Sequence, residues 1–535
     1  MSVLTIDDLK VAYTVGRATT EVLHGVSLAL DQGEVLAVVG ESGSGKTTTA
    51  QAATGLLASN GHITGGRVLI GVNDVTQWDD RRFQSIRGAT VGWIPQDPNN
   101  SLNPVKRIGE TVAEALRVHR WKDAAARRRR VIELLERVGI PEPEIRARQY
   151  PHQLSGGMKQ RVLIAAAIAL EPALLIADEA TSALDVTVQR TILDLIDDLR
   201  RDTGTAVLMV THDLAVAADR STKLIVLKDG EVQESGPTED VLLRPERDYT
   251  RRLLTDVPSL STPRPLPRPA EGATPVVIAR SLTQDFGGRT TTLRAVDDVS
   301  FTIPAGTTHA IVGESGSGKT TTARIVLGFQ KPTSGSVEIL GTDIAAAKGE
   351  KRRQLRRSIQ MVYQNPFSSL DPRQSIGDIV AEPLRNFGVG TAERAQRTAA
   401  MLERVALPAD VAKRHPRELS GGQRQRVAIA RALVLTPTVV VLDEAVSALD
   451  VTVQAQILDL LGDLQRDLGV AYLFISHDLA VVRQLAHTVS VMRRGQVVES
   501  GETASVFEDP QADYTRSLIA AIPGRRAAEA GTFII

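Results

Sequence analysis

The chain has 535 residues, of which 42% are hydrophobic and 24% charged, a globular composition that excludes a wholly disordered or collagen-like protein. Lysine plus arginine number 63, as do aspartate plus glutamate, and this zero net charge argues against a protein that coats nucleic acid. The absence of cysteine excludes disulfides, thiolate zinc sites, cysteine-ligated iron–sulfur clusters and thiol nucleophiles.

The sequence contains no obvious membrane anchor. Its most apolar uninterrupted run, around residues 162–170, is far shorter than the ~20 residues that a membrane-spanning helix needs. The first ten residues lack the basic and apolar regions of a signal peptide. We therefore expect any membrane role to depend on partner proteins.

An internal repeat divides the chain into two similar halves. The repeated motifs are GESGSGKT at 40–47 and 313–320, LSGG at 154–157 and 419–422, and SALDVTVQ at 182–189 and 447–454. A period near half the chain indicates two copies of a whole domain rather than a solenoid. The first copy is longer between its first two motifs, and we expect part of the excess in the glycine-rich stretch at 60–66.

A proline-rich segment, residues 258–275, separates the two copies. Such a segment cannot bury a core and favours extended polyproline II structure, so it is predicted to be a semi-rigid linker. The predicted domains are therefore residues 1–257 and 276–535.

Apolar runs alternate with helical patterns in each half. The runs at 34–39, 174–177 and 206–210 predict buried parallel strands, whereas 108–138 and 376–405 read as helical. This alternation predicts an α/β fold.

GESGSGKT fits the phosphate-loop pattern G-x-x-x-x-G-K-[ST] and stands between an apolar strand and a helical stretch in both copies. Glycines let backbone N–H groups point at phosphate oxygens, and the following helix adds its positive dipole end. The lysine reaches the β- and γ-phosphates, and the threonine hydroxyl is a Mg²⁺ ligand. The predicted loop residues are Ser42, Gly43, Ser44, Gly45, Lys46, Thr47 and Thr48, and in the second copy Ser315, Gly316, Ser317, Gly318, Lys319, Thr320 and Thr321.

Two carboxylates follow an apolar strand in each half, Asp178 and Glu179 in LLIADE, and Asp443 and Glu444 in VVVLDE. Beside a phosphate loop, the first carboxylate is predicted to hold Mg²⁺ and the second to polarise an attacking water. The alternative is that the acidic pair merely caps the next helix.

The phosphate loop, the acidic pair and the LSGG motif between them occur in both halves, and this set resembles the ATP-binding subunits of ABC transporters over almost the whole chain. The resemblance implies two tandem ABC-type P-loop NTPase domains, each with a RecA-like core, an antiparallel β subdomain and a helical subdomain. It implies ATP and Mg²⁺ as ligands and an intramolecular head-to-tail dimer, in which the phosphate loop of one copy faces the signature motif of the other. Some relatives carry an iron–sulfur cluster, which a chain without cysteine cannot ligate in their manner.

The resemblance also assigns roles to further residues. It implies that Tyr13 and Phe286 stack on adenine, that Gln96 and Gln364 contact nucleotide and Mg²⁺, and that His212 and His477 are catalytic together with Glu179 and Glu444. Residues 182–185 and 447–450 match the D-loops. The signature residues implied to bind nucleotide are Ser155, Gly156, Gly157, Ser420, Gly421 and Gly422.

Because both copies keep glutamate and histidine, we expect two active sites. Met158 stands where the family's signature usually has glutamine, and we expect this difference to weaken closure at the second site.

The stretches at 96–116 and 364–384 and the endings DYTRRLL (248–254) and DYTRSLI (513–519) resemble the oligopeptide/dipeptide/nickel importer branch, with a D-type and an F-type subunit joined. This implies an ATP-hydrolysing importer subunit. Di- or oligopeptides are the favoured substrates, and glutathione, nickel and sugars are the alternatives. The implied partners are two integral membrane permease subunits and an extracytoplasmic solute-binding protein, with no nucleic acid. The implied location is peripheral, on the cytoplasmic face of a bacterial cell membrane.

Other functions fit the sequence less well. Twin ATPases that act on ribosomes usually have a longer, charged linker, DNA-repair relatives carry zinc-binding cysteines, and chromosome-maintenance relatives insert long coiled coils. An exporter is also disfavoured.

The arginine-rich runs at 127–130 and 351–357 are predicted to be solvated helix faces. For the second run, a contact with lipid or a permease is the alternative.

Overall fold

The computed structural model describes residues 2–181, 184–257, 266, 273–287, 292–447 and 449–525, which fall into two compact units. The first unit comprises residues 1–261 with 523–535, and the second comprises residues 262–522. The predicted linker at 258–275 lies almost entirely outside the described residues, so its conformation and the predicted domain bounds stay predictions.

The first unit alternates strands and helices from its third strand onward. Its strands are β1 (Ser2–Val15), β2 (Ala18–Asp31), β3 (Val35–Val39), β4 (Gly61–Ile70), β5 (Asn73–Asp74), β6 (Val91–Ile94), β7 (Leu174–Asp178), β8 (Ala206–Val210), β9 (Lys223–Lys228) and β10 (Glu231–Pro237). Its helices are α1 (Lys46–Thr54), α2 (Asp80–Phe83), α3 (Pro98–Ser101), α4 (Ile108–Val118), α5 (Ala124–Arg137), α6 (Pro143–Arg146), α7 (Gly156–Ala167), α8 (Val186–Thr203), α9 (Leu214–Arg220), α10 (Thr238–Leu243) and α11 (Asp248–Asp256).

Two sheets organise this unit. The antiparallel sheet has the order β2-β1-β4-β5, and the central sheet has the order β10-β9-β3-β8-β7-β6. The central strands pair in parallel, except for the antiparallel edge strand β10. Strands β3, β7 and β8 are buried along their whole length, as expected for the parallel strands predicted from the apolar runs.

The second unit repeats this order. Its strands are β11 (Pro275–Gly287), β12 (Thr292–Pro304), β13 (Thr308–Val312), β14 (Ser334–Ile339), β15 (Thr342–Asp343), β16 (Ile359–Val362), β17 (Val439–Asp443), β18 (Ala471–Ser476), β19 (Thr488–Arg493) and β20 (Gln496–Glu502). Its helices are α12 (Lys319–Val326), α13 (Gly349–Ser358), α14 (Pro366–Ser369), α15 (Ile376–Asn386), α16 (Thr391–Arg404), α17 (Gly421–Leu433), α18 (Val451–Leu468), α19 (Leu479–Leu485), α20 (Thr503–Glu508) and α21 (Asp513–Ala520).

The sheets of the second unit have the orders β12-β11-β14-β15 and β16-β17-β18-β13-β19-β20. The repeat is not perfect, since β4 has 10 residues and β14 has 6. Part of the extra length of the first copy therefore lies in the strand that begins at Gly61, in the stretch where the sequence predicted it.

The segment 108–138, which reads as helical in the sequence, contains two helices. Helix α4 ends at Val118 and α5 begins at Ala124, where the Asp123 carboxylate accepts the N–H groups of Ala125 and Ala126. The aspartate is a strong N-cap that satisfies otherwise unpaired donors, so a new helix starts there.

Two cores hold the first unit together and place its phosphate loop. Helix α1 packs against the antiparallel sheet and the central sheet in one core, with Ala50 and Ala53 fully buried. Helices α4, α5 and α7 pack together in the other core. Across the described parts of the chain, no helix combines the length and apolarity required to span a membrane.

Candidate nucleotide site

The phosphate loop of the first unit connects β3 to α1, and its tight path requires glycine at two positions. Gly40 has φ 153°, and a Cβ there would lie 2.1 Å from the Leu227 carbonyl oxygen. Gly45, the αL N-cap of α1, has φ 100°, and a Cβ there would lie 2.4 Å from the Leu23 side chain. The resulting curl leaves the helix N-terminus open to an anion.

The loop lysine folds back over the loop in both units. Lys46 Nζ donates to the carbonyl oxygens of Gly40 and Glu41, each at 2.8 Å. Lys319 Nζ donates to Gly313 and Glu314 at 2.6 and 2.9 Å. Both lysines are buried, so each loop holds a positive charge at its centre, where a phosphate would bind.

A hydroxyl and a carboxylate lie together beside each loop. The Thr47 hydroxyl donates to Asp178 Oδ1 at 2.9 Å, and the Thr320 hydroxyl donates to Asp443 Oδ1 at 3.4 Å. Burial, reinforced by the neighbouring glutamate, raises the pKa of both aspartates above the ordinary value despite the hydrogen bonds. Oxygen ligands of this kind suit Mg²⁺, and a bound cation would relieve the cost of the buried negative charge.

One serine of each loop is poorly satisfied by the protein itself. The hydroxyl oxygens of Ser44 and Ser317 are buried and have no hydrogen-bond partner. A buried polar atom without a partner carries a desolvation cost, which a phosphate oxygen at the loop could offset. The residues present therefore fit a nucleotide phosphate with its metal.

The glutamate after each buried aspartate is held between a glutamine and a histidine. In the first unit, Gln96 Nε2 donates to Glu179 Oε2 at 2.6 Å, and His212 Nδ1 lies 3.2 Å from Glu179 Oε1. Burial lowers the pKa of His212, but the hydrogen bond and negative charge of Glu179 outweigh it and raise the pKa above the ordinary value.

The second unit has the same trio. Gln364 Nε2 donates to Glu444 Oε2 at 2.7 Å, and His477 Nδ1 lies 3.4 Å from that carboxylate oxygen. Burial raises the pKa of Glu444, but His477, followed by Lys319 and Gln364, outweighs it, and the net pKa is lowered. The carboxylate is therefore ionised at neutral pH.

Both glutamates have a left-handed backbone, with φ 45° at Glu179 and 48° at Glu444. Their N–H groups still donate to the neighbouring strands, to Val210 at 2.8 Å and Ile475 at 2.9 Å. Helix α8 begins after Asp185, so the acidic pair of the first unit does not cap it, contrary to the alternative considered from sequence. A strained non-glycine conformation of this kind is typical of functional sites.

The signature motif starts a helix in each unit. Ser155 caps α7 by accepting the Met158 N–H, and Ser420 caps α17 by accepting the Gln423 N–H, both at 3.3 Å. In the second unit, Gln423 Oε1 also accepts the Ser420 N–H at 3.1 Å, which completes a capping box. Methionine has no oxygen to return this bond, so α7 begins with one fewer hydrogen bond.

The fold does not bring a signature motif to the phosphate loop of its own unit. Helix α7 packs on α3, α4, α5 and β6, whereas α1 packs on β1, β2, β7 and β8. Ser155 and Ser420 are exposed. Of the D-loop residues, 182, 183 and 448 lie outside the described residues.

The two predicted adenine-stacking aromatics occupy the antiparallel sheets. Tyr13 lies on β1 opposite Gly61 and is half-buried, and a Cβ on Gly61 would come within 2.6 Å of its ring. Phe286 lies on β11 opposite Leu293 and is 42% exposed. The phenylalanine thus offers more free ring surface than the tyrosine.

Sequence reasoning missed one contact with each loop. The Glu41 N–H donates to the Tyr249 hydroxyl, and the Glu314 N–H donates to the Tyr514 hydroxyl, both at 3.3 Å. The DYT tripeptide recurs near the end of each copy, and this recurrence is the sequence signal for a shared role.

Comparison with known proteins decides the family. The family model described as "ABC transporter" matches residues 23–182 and 296–447, which together exceed half of the chain. The chain belongs to the ABC transporter ATP-binding family. A second model, "Oligopeptide/dipeptide transporter, C-terminal region", matches residues 498–532. The predicted fold class, ATPase activity and oligopeptide/dipeptide branch are thereby confirmed, and the chain is an ATP-binding, ATP-hydrolysing protein.

Curated relatives of this ABC protein match it over nearly its full length. The "Glutathione import ATP-binding protein GsiA" of Salmonella typhimurium is 43% identical over 561 residues, covering 97% of this chain and 89% of the relative. The protein of the same name from Escherichia coli K12 is also 43% identical, covering 98% and 90%.

A solved dimeric structure of the ATP-binding cassette MJ0796, bound to ADP and Pi, is 32% identical and covers 44% of this chain and 98% of that chain, with a TM-score of 0.40.

Proposed function

We propose that this ABC protein powers the import of di- or oligopeptides, a class that includes glutathione, from the cytoplasmic face of a bacterial membrane. The observation that carries the proposal is the match of residues 498–532 to the oligopeptide/dipeptide transporter C-terminal region. The relatives named for glutathione import support it over nearly the whole chain. These similarities favour an importer over a ribosome-associated twin ATPase.

In the proposed site of the first unit, Ser42–Thr48 surround the phosphates of ATP and Lys46 contacts the β- and γ-phosphates. Thr47, Asp178 and Gln96 would hold Mg²⁺, which would neutralise phosphate charge. The second unit supplies Ser315–Thr321, with Thr320, Asp443 and Gln364 for the metal. The short Thr47–Asp178 contact supports this role, because it brings two oxygens that suit Mg²⁺ together.

Glu179 and Glu444 are the proposed bases that orient and polarise the attacking water. A glutamine and a histidine both contact each carboxylate and restrain it, and Glu444 is ionised at neutral pH as a proton acceptor requires. His212 and His477 hold the carboxylate in place and stabilise its charge. Tyr13 and Phe286 supply ring faces for the adenine base.

We propose that each site is completed by the signature motif of the other copy, in an intramolecular head-to-tail dimer. Ser155–Gly157 and Ser420–Gly422 stand at helix N-termini, which favour a γ-phosphate oxygen. The exposure of Ser155, Gly156 and Ser420 supports this role, since a donor that serves another surface has to be accessible. Closure then requires ATP, and hydrolysis releases it.

The proposed partners are two permease subunits and an extracytoplasmic solute-binding protein. Supporting evidence for a permease contact is a cleft of about 1030 Å³ in the second unit. Its wall includes Arg352, Arg353 and Arg356 of α13, which belong to the arginine-rich run of the sequence, together with exposed Phe329 and Tyr363. Such a wall suits an acidic segment with apolar side chains.

The proposal is tested with the full transporter reconstituted in vesicles, with Glu179→Gln and Glu444→Gln made separately. Each change keeps the side-chain size but removes the carboxylate, so ATP turnover at that site is expected to fall about 10²–10⁴-fold. Uptake of a labelled tripeptide should fall with it. Glu133→Gln, an exposed change on α5, is the matched control. Unchanged turnover in either active-site variant would remove that site from the mechanism, and ATPase without peptide uptake would refute the substrate class.

A further inference from the structure

We propose that Tyr249 and Tyr514 are positioning residues that hold the phosphate loops in their binding conformation. The inference rests on the proposed phosphate-binding role of those loops. Each tyrosine comes from the helix that ends its copy of the repeat, α11 or α21, and its hydroxyl accepts the N–H of the second loop residue, Glu41 or Glu314, at 3.3 Å.

The loop residue that bonds the tyrosine also bonds the loop lysine. Glu41 donates its N–H to Tyr249 and accepts Lys46 Nζ on its carbonyl oxygen at 2.8 Å. In the second unit, Glu314 links Tyr514 to Lys319 in the same way, with a lysine–carbonyl distance of 2.9 Å. Each tyrosine therefore fixes the residue whose carbonyl orients the ammonium group.

The tyrosine ring is held by a cation on the central sheet. Lys228 Nζ lies 5.0 Å from the centre of the Tyr249 ring, and Arg493 Cζ lies 4.7 Å from that of Tyr514. The turns that follow these cations also touch the loops, because the Gly230 N–H donates to the Ser44 carbonyl oxygen at 3.1 Å and the Gly495 N–H donates to the Ser317 carbonyl oxygen at 2.9 Å. In each unit, the tyrosine ring, the turn after the cation and the phosphate loop are thus joined by a continuous series of contacts.

A glutamate sets the position of each tyrosine-bearing helix. The Glu234 carboxylate accepts the N–H groups of Glu246 and Arg247, at 2.8 and 3.3 Å, just before α11. Glu499 accepts those of Gln511 and Ala512, at 2.7 and 3.0 Å, just before α21. In both units a glutamate accepts the N–H groups of the residues 12 and 13 positions further on, and this repetition argues against chance. In this arrangement, the helix at the end of each copy restrains the phosphate loop through its tyrosine.

The test is equilibrium binding of ATP labelled with a fluorophore on its ribose. In full-length Lys319→Ala protein, in which the second loop is disabled, Tyr249→Phe removes the hydroxyl but keeps the ring over Lys228. Loss of one such hydrogen bond is expected to raise the Kd of the first site about 2- to 12-fold. Tyr150→Phe is the matched control, because Tyr150 is half-buried and its ring stacks on His152. The reciprocal experiment uses Tyr514→Phe in Lys46→Ala protein.

The measurements separate positioning from general stability. For Tyr249→Phe alone, we expect KM for ATP to rise more than kcat falls, with an unchanged thermal midpoint. Tyr249→Leu, which also removes the ring, is expected to weaken binding further. An unchanged Kd in both Tyr249 variants overturns the inference, as does a loss of binding explained by a lower midpoint. Binding that survives Lys46→Ala in Lys319→Ala protein instead refutes the phosphate-binding role of the loops.

Discussion

Burial acts against the ionised form of Asp178, whose side chain stands at the end of a fully buried strand. The raised pKa has a direct meaning for stability, since the negative charge costs folding free energy above that pKa and the cost disappears as the carboxyl is protonated. The Thr47 hydroxyl and Lys46 offset only part of this cost. Asp178 therefore lowers the stability of the nucleotide-free protein, and its proposed role as a metal ligand accounts for a carboxylate at this buried position.

Asp178→Asn is therefore expected to raise the thermal midpoint of the nucleotide-free first unit at pH 7, because the amide oxygen can still accept the Thr47 hydroxyl. The gain should shrink as the pH falls through the raised pKa of Asp178. Mg²⁺ affinity at that site is expected to fall at least about 10-fold. Calorimetry between pH 4 and 8 and Mg²⁺-dependent nucleotide binding measure the two effects.

The matched control for this change is Asp123→Asn. Backbone N–H groups hold the pKa of Asp123 below its ordinary value, so its charge stabilises the folded state above that pKa. Removing it should not raise the midpoint. A lower midpoint for Asp178→Asn than for the unmodified protein would contradict the account of the buried charge.

At the scale of elements, the two signature helices have different side chains at their third residue, Met158 in α7 and Gln423 in α17. Gln423 returns a hydrogen bond to the Ser420 N–H, and Met158 cannot do the same for Ser155. The start of α7 is therefore held less firmly than the start of α17. This difference gives a physical basis to the expectation, drawn from sequence, that closure at the second site is weaker.

Met158→Gln is expected to complete the capping box and to slow hydrogen exchange of the Ser155 amide several-fold, in line with about 0.3–1.5 kcal/mol for such a cap. Hydrogen exchange read by NMR or by mass spectrometry of short peptides measures it. Met158→Leu, which has no acceptor, should leave exchange at that amide unchanged. Equal protection in the glutamine and leucine variants would show that no such bond forms.

Short-range sequence patterns predict some features of this fold and not others. The phosphate loop, the apolar strands and the caps follow from short-range chemistry, which a sequence displays directly. The break between α4 and α5 is not evident from the helical pattern at 108–138, because the N-cap aspartate lies inside a stretch whose composition favours helix throughout. The contact of Tyr249 with Glu41 was missed because it joins residues from opposite ends of one unit.

At the scale of the whole molecule, the proposed shared sites make a pairing prediction in the full chain. Lys46→Ala with Ser420→Arg damages one proposed site only, so single-turnover ATP hydrolysis should match that of Lys46→Ala alone. Lys46→Ala with Ser155→Arg damages both sites, and hydrolysis should fall at least about 10²-fold further. Equal thermal midpoints serve as the folding control, and the opposite ranking of the two double variants would refute head-to-tail pairing.

The sequence by itself determined the family, the repeat, the phosphate loops and the acidic pairs, because each depends on residue types at fixed short spacings. Only the tertiary structure decided which distant side chains meet: Gln96 and His212 on Glu179, Thr47 on Asp178, and the terminal tyrosines on the loops. Those contacts depend on how buried parallel strands order themselves in a sheet. That order arises from the packing of a whole domain, which no local pattern encodes.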